Sequence, residues 1–128
     1  MQIFKNRWFT KFAKHEGISD AALCKAVDEI EAGLIDADYG GGVIKQRIAR
    51  PHEGKAGGYR TIILYCQHNK AFFVYGFSKN ERSNISKVEE KEFKELAKIT
   101  LTLSNEQIHI LLKKGAYTAV TCNEIHKN

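Results

Sequence analysis

Five cations within one stretch, Val43 to Arg60, are the residues of this chain best placed to do chemistry. They are Lys45, Arg47, Arg50, Lys55 and Arg60, opposed only by Glu53, so this stretch carries +4 of the chain's net +5. Its centre, PHEGKAGG, is expected to form a loop whose glycines admit close backbone approach and positive φ. Alternating residues on either side predict β-strands, and Lys45 and Arg47, two apart, project from one face. Cations on strands beside a glycine loop suit a polyanion, best a nucleic-acid phosphate backbone. A meander of three strands would also bring Lys79 and Arg82 within reach of Lys45, Arg47, Lys55 and Arg60. Such a cluster is costly unless it holds an anion. It could clamp a scissile phosphate and stabilise the extra charge of a phosphorane transition state. The same cations would also serve as a solvated basic edge that discourages edge-to-edge pairing.

Other chemistries lack their motifs. Gly54-Lys55 is followed by Ala56 with no glycine at the required upstream position, so there is no P-loop, and no GxGxxG occurs. The five histidines, 15, 52, 68, 109 and 126, show no metal-ligand spacing with each other or with cysteine, and no metal or cofactor is expected. There are no convincing paired carboxylates for hydrolysis. His52, in the central loop, could titrate near neutral pH as an acid–base group or simply be exposed. Tyr59, beside Arg60, could stack on a base or belong to the core.

The elements that position these residues follow from periodicity. At 128 residues, 43% of them hydrophobic and 27% charged, the chain suits one globular domain over 1–128, with 116–128 a short strand or a loose tail. Residues 2–4 suggest a short strand. Asn6 to Lys14 then sets Trp8, Phe9 and Phe12 on one helical side against Arg7, Lys11 and Lys14. Ser19 is an N-cap for a second helix carrying Leu23, Ala26, Val27, Ile30 and Leu34 to a stop at Gly33. Together these form a helical hairpin covering a sheet. Gly40–Gly42 turns into the central strand, Tyr59–Cys66 follows the loop, and residues 67–70 turn into the apolar strand Ala71–Phe77. Three consecutive antiparallel strands make a meander with the helices on one face. Ser86 with Glu89, and Ser104 with Gln107, are capping boxes opening helices to about Ile99 and over Ile108–Lys114. Phe93, Leu96 and Ala97 are expected to face inward. The class is α+β.

Charge is segregated: residues 1–15 hold four cations and no acid, residues 16–40 seven acids and one cation. That pattern predicts distinct faces, and a calculated pI of about 9.1 fits an anionic partner. Cys24, Cys66 and Cys122, odd in number and widely spaced, suggest reduced thiols in a cytoplasmic protein rather than a disulfide framework. The basic start has no secretion-signal pattern, and no window approaches a membrane span.

Two segments together, KQRIARPHEGKAGGYRT and FFVYGFSKNERSNI, resemble RelE/HigB-type toxins of bacterial toxin–antitoxin modules. The likeness is closest to a HigB-like branch whose pattern runs KxRxAR, GKxGGYR, then GFxKNExxNI. The order of helical hairpin, antiparallel sheet and C-terminal helices agrees with it. The resemblance implies a metal-independent mRNA endoribonuclease acting on the translating ribosome, in which the substrate's own 2′-OH attacks the adjacent phosphate. It implies an active surface of Lys45, Arg47, Lys55, Arg60 and Lys79. Arg60 would serve the phosphate, Lys79 the leaving group, and Arg82 a secondary role. Arg50, Tyr59, Asn80 and His52 would be RNA contacts. It also implies a cognate antitoxin, commonly a helix-turn-helix repressor. In the RelE branch an arginine follows the lysine where Asn80 stands here, and Ser86 occupies the place of a tyrosine important there. His52, Lys45 and Lys55 are therefore all candidates for the general base. Two other functions suit the same cations: a non-catalytic RNA- or ribosome-binding module, and a ParE-like inhibitor of DNA gyrase.

Overall fold

The chain opens on a strand, β1 (Gln2–Asn6), that passes directly into a helix, α1 (Arg7–Glu16). Asn6 makes this junction. Its side-chain oxygen accepts from Phe9 N at 2.8 Å as the N-cap, and its amide donates to Val74 O at 3.1 Å. Gly17, at φ 71°, ends α1, and Ser19 caps α2 (Asp20–Glu31). The remaining elements are β2 (Ala37–Gly40), β3 (Val43–Arg50), β4 (Gly54–Cys66), β5 (Lys70–Ser78), α3 (Lys87–Thr100), α4 (Asn105–Lys113) and β6 (Tyr117–Ala119). In this computed structural model residues 1–50 and 54–122 are described, those at 54–56 by backbone alone.

The strands form one sheet in the order β2-β3-β4-β5-β1-β6. Its centre, β3-β4-β5, is the expected antiparallel meander. β2 widens it on one side, while on the other β1 lies parallel to β5 and β6 antiparallel to β1. The α+β class stands. The expected glycine loop, however, is largely strand: β4 begins at Gly54, which pairs with Arg50, and only residues 51–53 lie outside the described residues.

The helices do not share one face, as periodicity suggested; they divide between both. Phe9 and Ala13 of α1 and Leu23, Ala26, Val27 and Ile30 of α2 pack with Ile44, Ile48, Tyr59, Ile63 and Phe73. On the opposite face Ala97 of α3 and Ile108 of α4 pack with Phe4, Val43, Ile62, Leu64, Phe72 and Val74. The physical reason is β5 itself. A continuous run of apolar residues has side chains on both faces, so both must be covered. Both C-terminal capping boxes form as expected, but Leu96 turns outward at 39% exposure. Among the described residues no helix is long and apolar enough to cross a membrane.

The cysteines overturn the expectation of reduced thiols. Cys24 of α2 and Cys122, just past β6, are joined as a disulfide across 98 residues, while Cys66 is a free, exposed thiol. Sequence spacing cannot show such a pair, because it is created by β6 docking beside β1 and so near α2.

Gly42, in the β2–β3 turn, disfavours any side chain. Its φ is 83°, and a Cβ there would stand 2.5 Å from Leu101 Cδ1 and 3.3 Å from Tyr65 O. Gly42→Ala is expected to cost roughly 2 kcal/mol or more through left-handed strain and overpacking together, read as a lower urea midpoint.

Candidate active site

Strand register places three of the predicted cations, Lys45, Arg47 and Arg60, on the α3/α4 face of the sheet. In the register of β3 and β4, Arg47 stands directly opposite Arg60, and Arg60 in turn opposes Phe77 of β5. Directly opposed residues have Cβ atoms about 5 Å apart and side chains on the same face. Lys79 lies one row further along, just past the end of β5, its backbone N–H donating to Gly58 O at 3.2 Å. Lys45 lies one row the other way, opposite Ile62. Thus Lys45, Arg47 and Arg60 share one face of β3 and β4, with Lys79 in the turn just past β5. Arg47 and Lys79 are exposed, whereas Arg60 is 6% exposed and is held in place by its surroundings.

Two acids shape this surface; sequence reasoning missed Asp36 and assigned Glu89 only to the cap of α3. Asp36 Oδ1 pairs with Arg47 Nε at 3.0 Å, and Oδ2 faces Lys45 Nζ at 3.7 Å. Asp36 Oδ2 makes no hydrogen bond among the described residues. The acid is fixed by Gln46, whose buried carboxamide accepts from Asp36 N at 2.9 Å and donates to Leu34 O at 2.7 Å. The signal for Asp36 was the Gly41-Gly42 turn. That turn folds Asp36-Ala37-Asp38 back along β3, with Ala37 opposite Lys45. Like charges directly opposed repel; Asp36 relieves part of this at Arg47.

The second acid is Glu89. Arg82 grips it with two hydrogen bonds, at 2.6 and 3.1 Å, and also donates to Tyr75 Oη at 3.2 Å and Asn84 O at 2.9 Å. Its guanidinium lies 5.3 Å from the Phe77 ring centroid and 6.0 Å from that of Tyr75. Arg82 is therefore a wall of the surface, tied to the start of α3, rather than a free clamp. Arg82, followed by the Ser86 amide, holds the Glu89 carboxyl down to about 2 from its ordinary 4.5. A depressed carboxyl contributes stability above its unfolded value, lost as pH falls through the folded one. Glu89→Gln is accordingly expected to lower stability by about 1–2 kcal/mol at pH 7, partial exposure screening the pair. The difference from wild type should shrink between pH 4.5 and about 2 in a series of thermal melts.

The remaining sequence candidates fall elsewhere. Tyr59 is 2% exposed on the α1/α2 face, its hydroxyl donating to Glu16 O at 3.3 Å and its ring meeting Phe12 edge-on. It has no free face for a base, because strand alternation turns it away from its neighbour Arg60. Arg50 lies on that same face, its guanidinium 5.6 Å from the Tyr59 ring centroid. Asn80 is exposed in the turn after β5, next to Lys79. His52 and the side chain of Lys55 lie outside the described residues, although the backbone of Lys55 is in β4 rather than in a loop.

Comparison with curated proteins gives no significant match. A family model described as the RelE toxin of the RelE/RelB toxin–antitoxin system matches residues 1–120, which takes in every element from β1 to β6. With its α+β architecture and a match over nearly its whole length, this chain belongs to the RelE toxin family.

Proposed function

We propose that this toxin is a metal-independent endoribonuclease that cuts mRNA on the translating ribosome. The observation that carries the reading is the cross-strand pair Arg47–Arg60, with Lys79 close by, just past the end of β5. Arg47 and Arg60 on one sheet face, joined by Lys79 from the adjoining turn, would make a preorganised site for a single phosphate, and preorganised charge is the largest contribution to many enzymatic rates. The substrate's 2′-oxygen bonds to phosphorus, its proton passing to a base drawn from Lys45, Lys55 and His52. Arg60 and Arg47 stabilise the added negative charge. The P–O5′ bond breaks and Lys79 protonates the departing oxygen, leaving a 2′,3′-cyclic phosphate and a 5′-hydroxyl. The extent of the family match supports treating the chain as one toxin domain. The KxRxAR and GKxGGYR pattern supports a HigB-like branch, whose antitoxin partner is of helix-turn-helix type. Action on ribosomes would place the protein in the cytoplasm.

Induced expression with mapping of RNA 5′ ends tests this reading. Growth arrest with new 5′-hydroxyl ends inside translated frames is expected. Arrest with intact mRNA and blocked supercoiling would assign the chain to gyrase inhibition instead. Ribosome or RNA binding without cleavage would make it a binding module.

A further inference from the structure

Arg47 enters the phosphate site at a disadvantage. Its side chain is 46% exposed, and Arg60, directly across the strands, carries the same charge. A long exposed cation beside a like charge is pushed aside, and it has many rotamers to lose on meeting a ligand. Something must hold it, and the holding group is an acid.

Asp36 is itself firmly seated. Its backbone N–H donates to the Gln46 carboxamide, which is 3% exposed and anchored in turn on Leu34 O. Thr61 Oγ1, fully buried, donates to Gln46 O at 3.0 Å and ties this frame to β4 beside Arg60. The Asp36 side chain is only 14% exposed; Oδ1 accepts from Arg47 Nε at 3.0 Å, and Oδ2 lies 3.7 Å from Lys45 Nζ. The choice of nitrogen decides what is left over. A guanidinium has one N–H at Nε and four at its terminal nitrogens. Asp36 takes the first, and among the described residues no hydrogen bond or ion pair occupies the other four. The Nη1–Nη2 edge is left for an oxyanion, and parallel bonds from that edge fit two oxygens of one phosphate.

We propose that Asp36 is a positioning residue for the cleavage reaction, holding Arg47 by Nε so that its terminal nitrogens meet the scissile phosphate. This rests on the RNA-cleavage reading and adds to it a residue whose own charge opposes the substrate. An acid beside a phosphate site weakens its attraction for a polyanion. Its return is orientation, which acts on the chemical step. Removing the acid should therefore move binding and chemistry in opposite directions, a result that loss of packing does not give.

Single-turnover cleavage of mRNA on programmed ribosomes is measured beside affinity for an uncleavable, 2′-O-methylated RNA at low salt. Asp36→Ala is expected to cut roughly 10- to 100-fold more slowly, the usual consequence of a misplaced catalytic group. It should bind the uncleavable strand at least as tightly as wild type. Asp36→Asn keeps an oxygen for the Nε–H but no charge, and its rate should fall between the two. In an Arg47→Ala background neither substitution should slow cleavage further, since the effect passes through that guanidinium. Thermal melts check folding, and Asp36→Asn carries the comparison if Asp36→Ala does not fold. Wild-type rates in the Asp36 variants overturn the proposal while leaving the phosphate site standing. An equal loss of rate and affinity makes Asp36 a packing residue and overturns it too, as does an undiminished effect in the Arg47→Ala background. If the wild-type protein cuts no mRNA, the RNA-cleavage reading and the positioning role fall together.

Discussion

Arg60→Ala is expected to slow mRNA cleavage by roughly 100- to 1,000-fold, the usual cost of deleting one preorganised charge donor at a reacting centre. The residue is nearly buried and stands between Arg47 and Phe77 in the sheet, so its side chain has little room to rearrange. Arg60→Lys separates charge from geometry. Lysine keeps the positive charge that governs salt-dependent RNA affinity, but replaces a planar fork by a point charge. It should therefore bind RNA close to wild type while its single-turnover cleavage rate falls. Thermal melts of both variants guard against unfolding. Wild-type cleavage rates in Arg60→Lys would remove guanidinium geometry from the mechanism.

Opening the Cys24–Cys122 bond is expected to cost about 2–5 kcal/mol of folding stability. The bond closes a loop spanning 98 residues. The chain-entropy relation gives about 4.7 kcal/mol for a loop near that length, an upper figure because strain and residual unfolded structure reduce it. The bond ties the chain beyond β6 to α2, reinforcing the short β6 pairing of Phe4 with Ala119 and Asn6 with Tyr117. Urea denaturation with and without reductant measures the effect, and Cys24→Ser should abolish the dependence on reductant. A wild-type midpoint indifferent to reductant would show that the pair contributes nothing. Reducing compartments keep such pairs open. A toxin working beside ribosomes would therefore run without this stabilisation, leaning on its two apolar cores.

Much of the fold was legible where the signal is local. The boxes Ser86/Glu89 and Ser104/Gln107 placed the starts of α3 and α4, because a cap satisfies backbone groups within three residues of itself. Gly17 and Ser19 likewise marked the break between α1 and α2. Period-two alternation put Lys45 and Arg47 on one face. The same rule, applied to Tyr59 beside Arg60, should have removed Tyr59 from the RNA contacts: neighbouring strand residues face opposite ways. The apolar run of β5 marked a buried strand, but periodicity alone set every helix on one face. A strand apolar on both sides needs the cover on both that the helices supply.

The sequence by itself determined the charge excess between Val43 and Arg60, the helix starts, the central meander and the family likeness. These depend on residues near one another along the chain. Only the tertiary structure decided that Asp36 and Gln46 brace the cations, that Cys24 meets Cys122, and that Arg50 and Tyr59 leave the site. Each of these depends on strand register or on the parallel seating of β1 against β5. Register comes from burying two apolar faces at once across the whole sheet, and no local window contains that information.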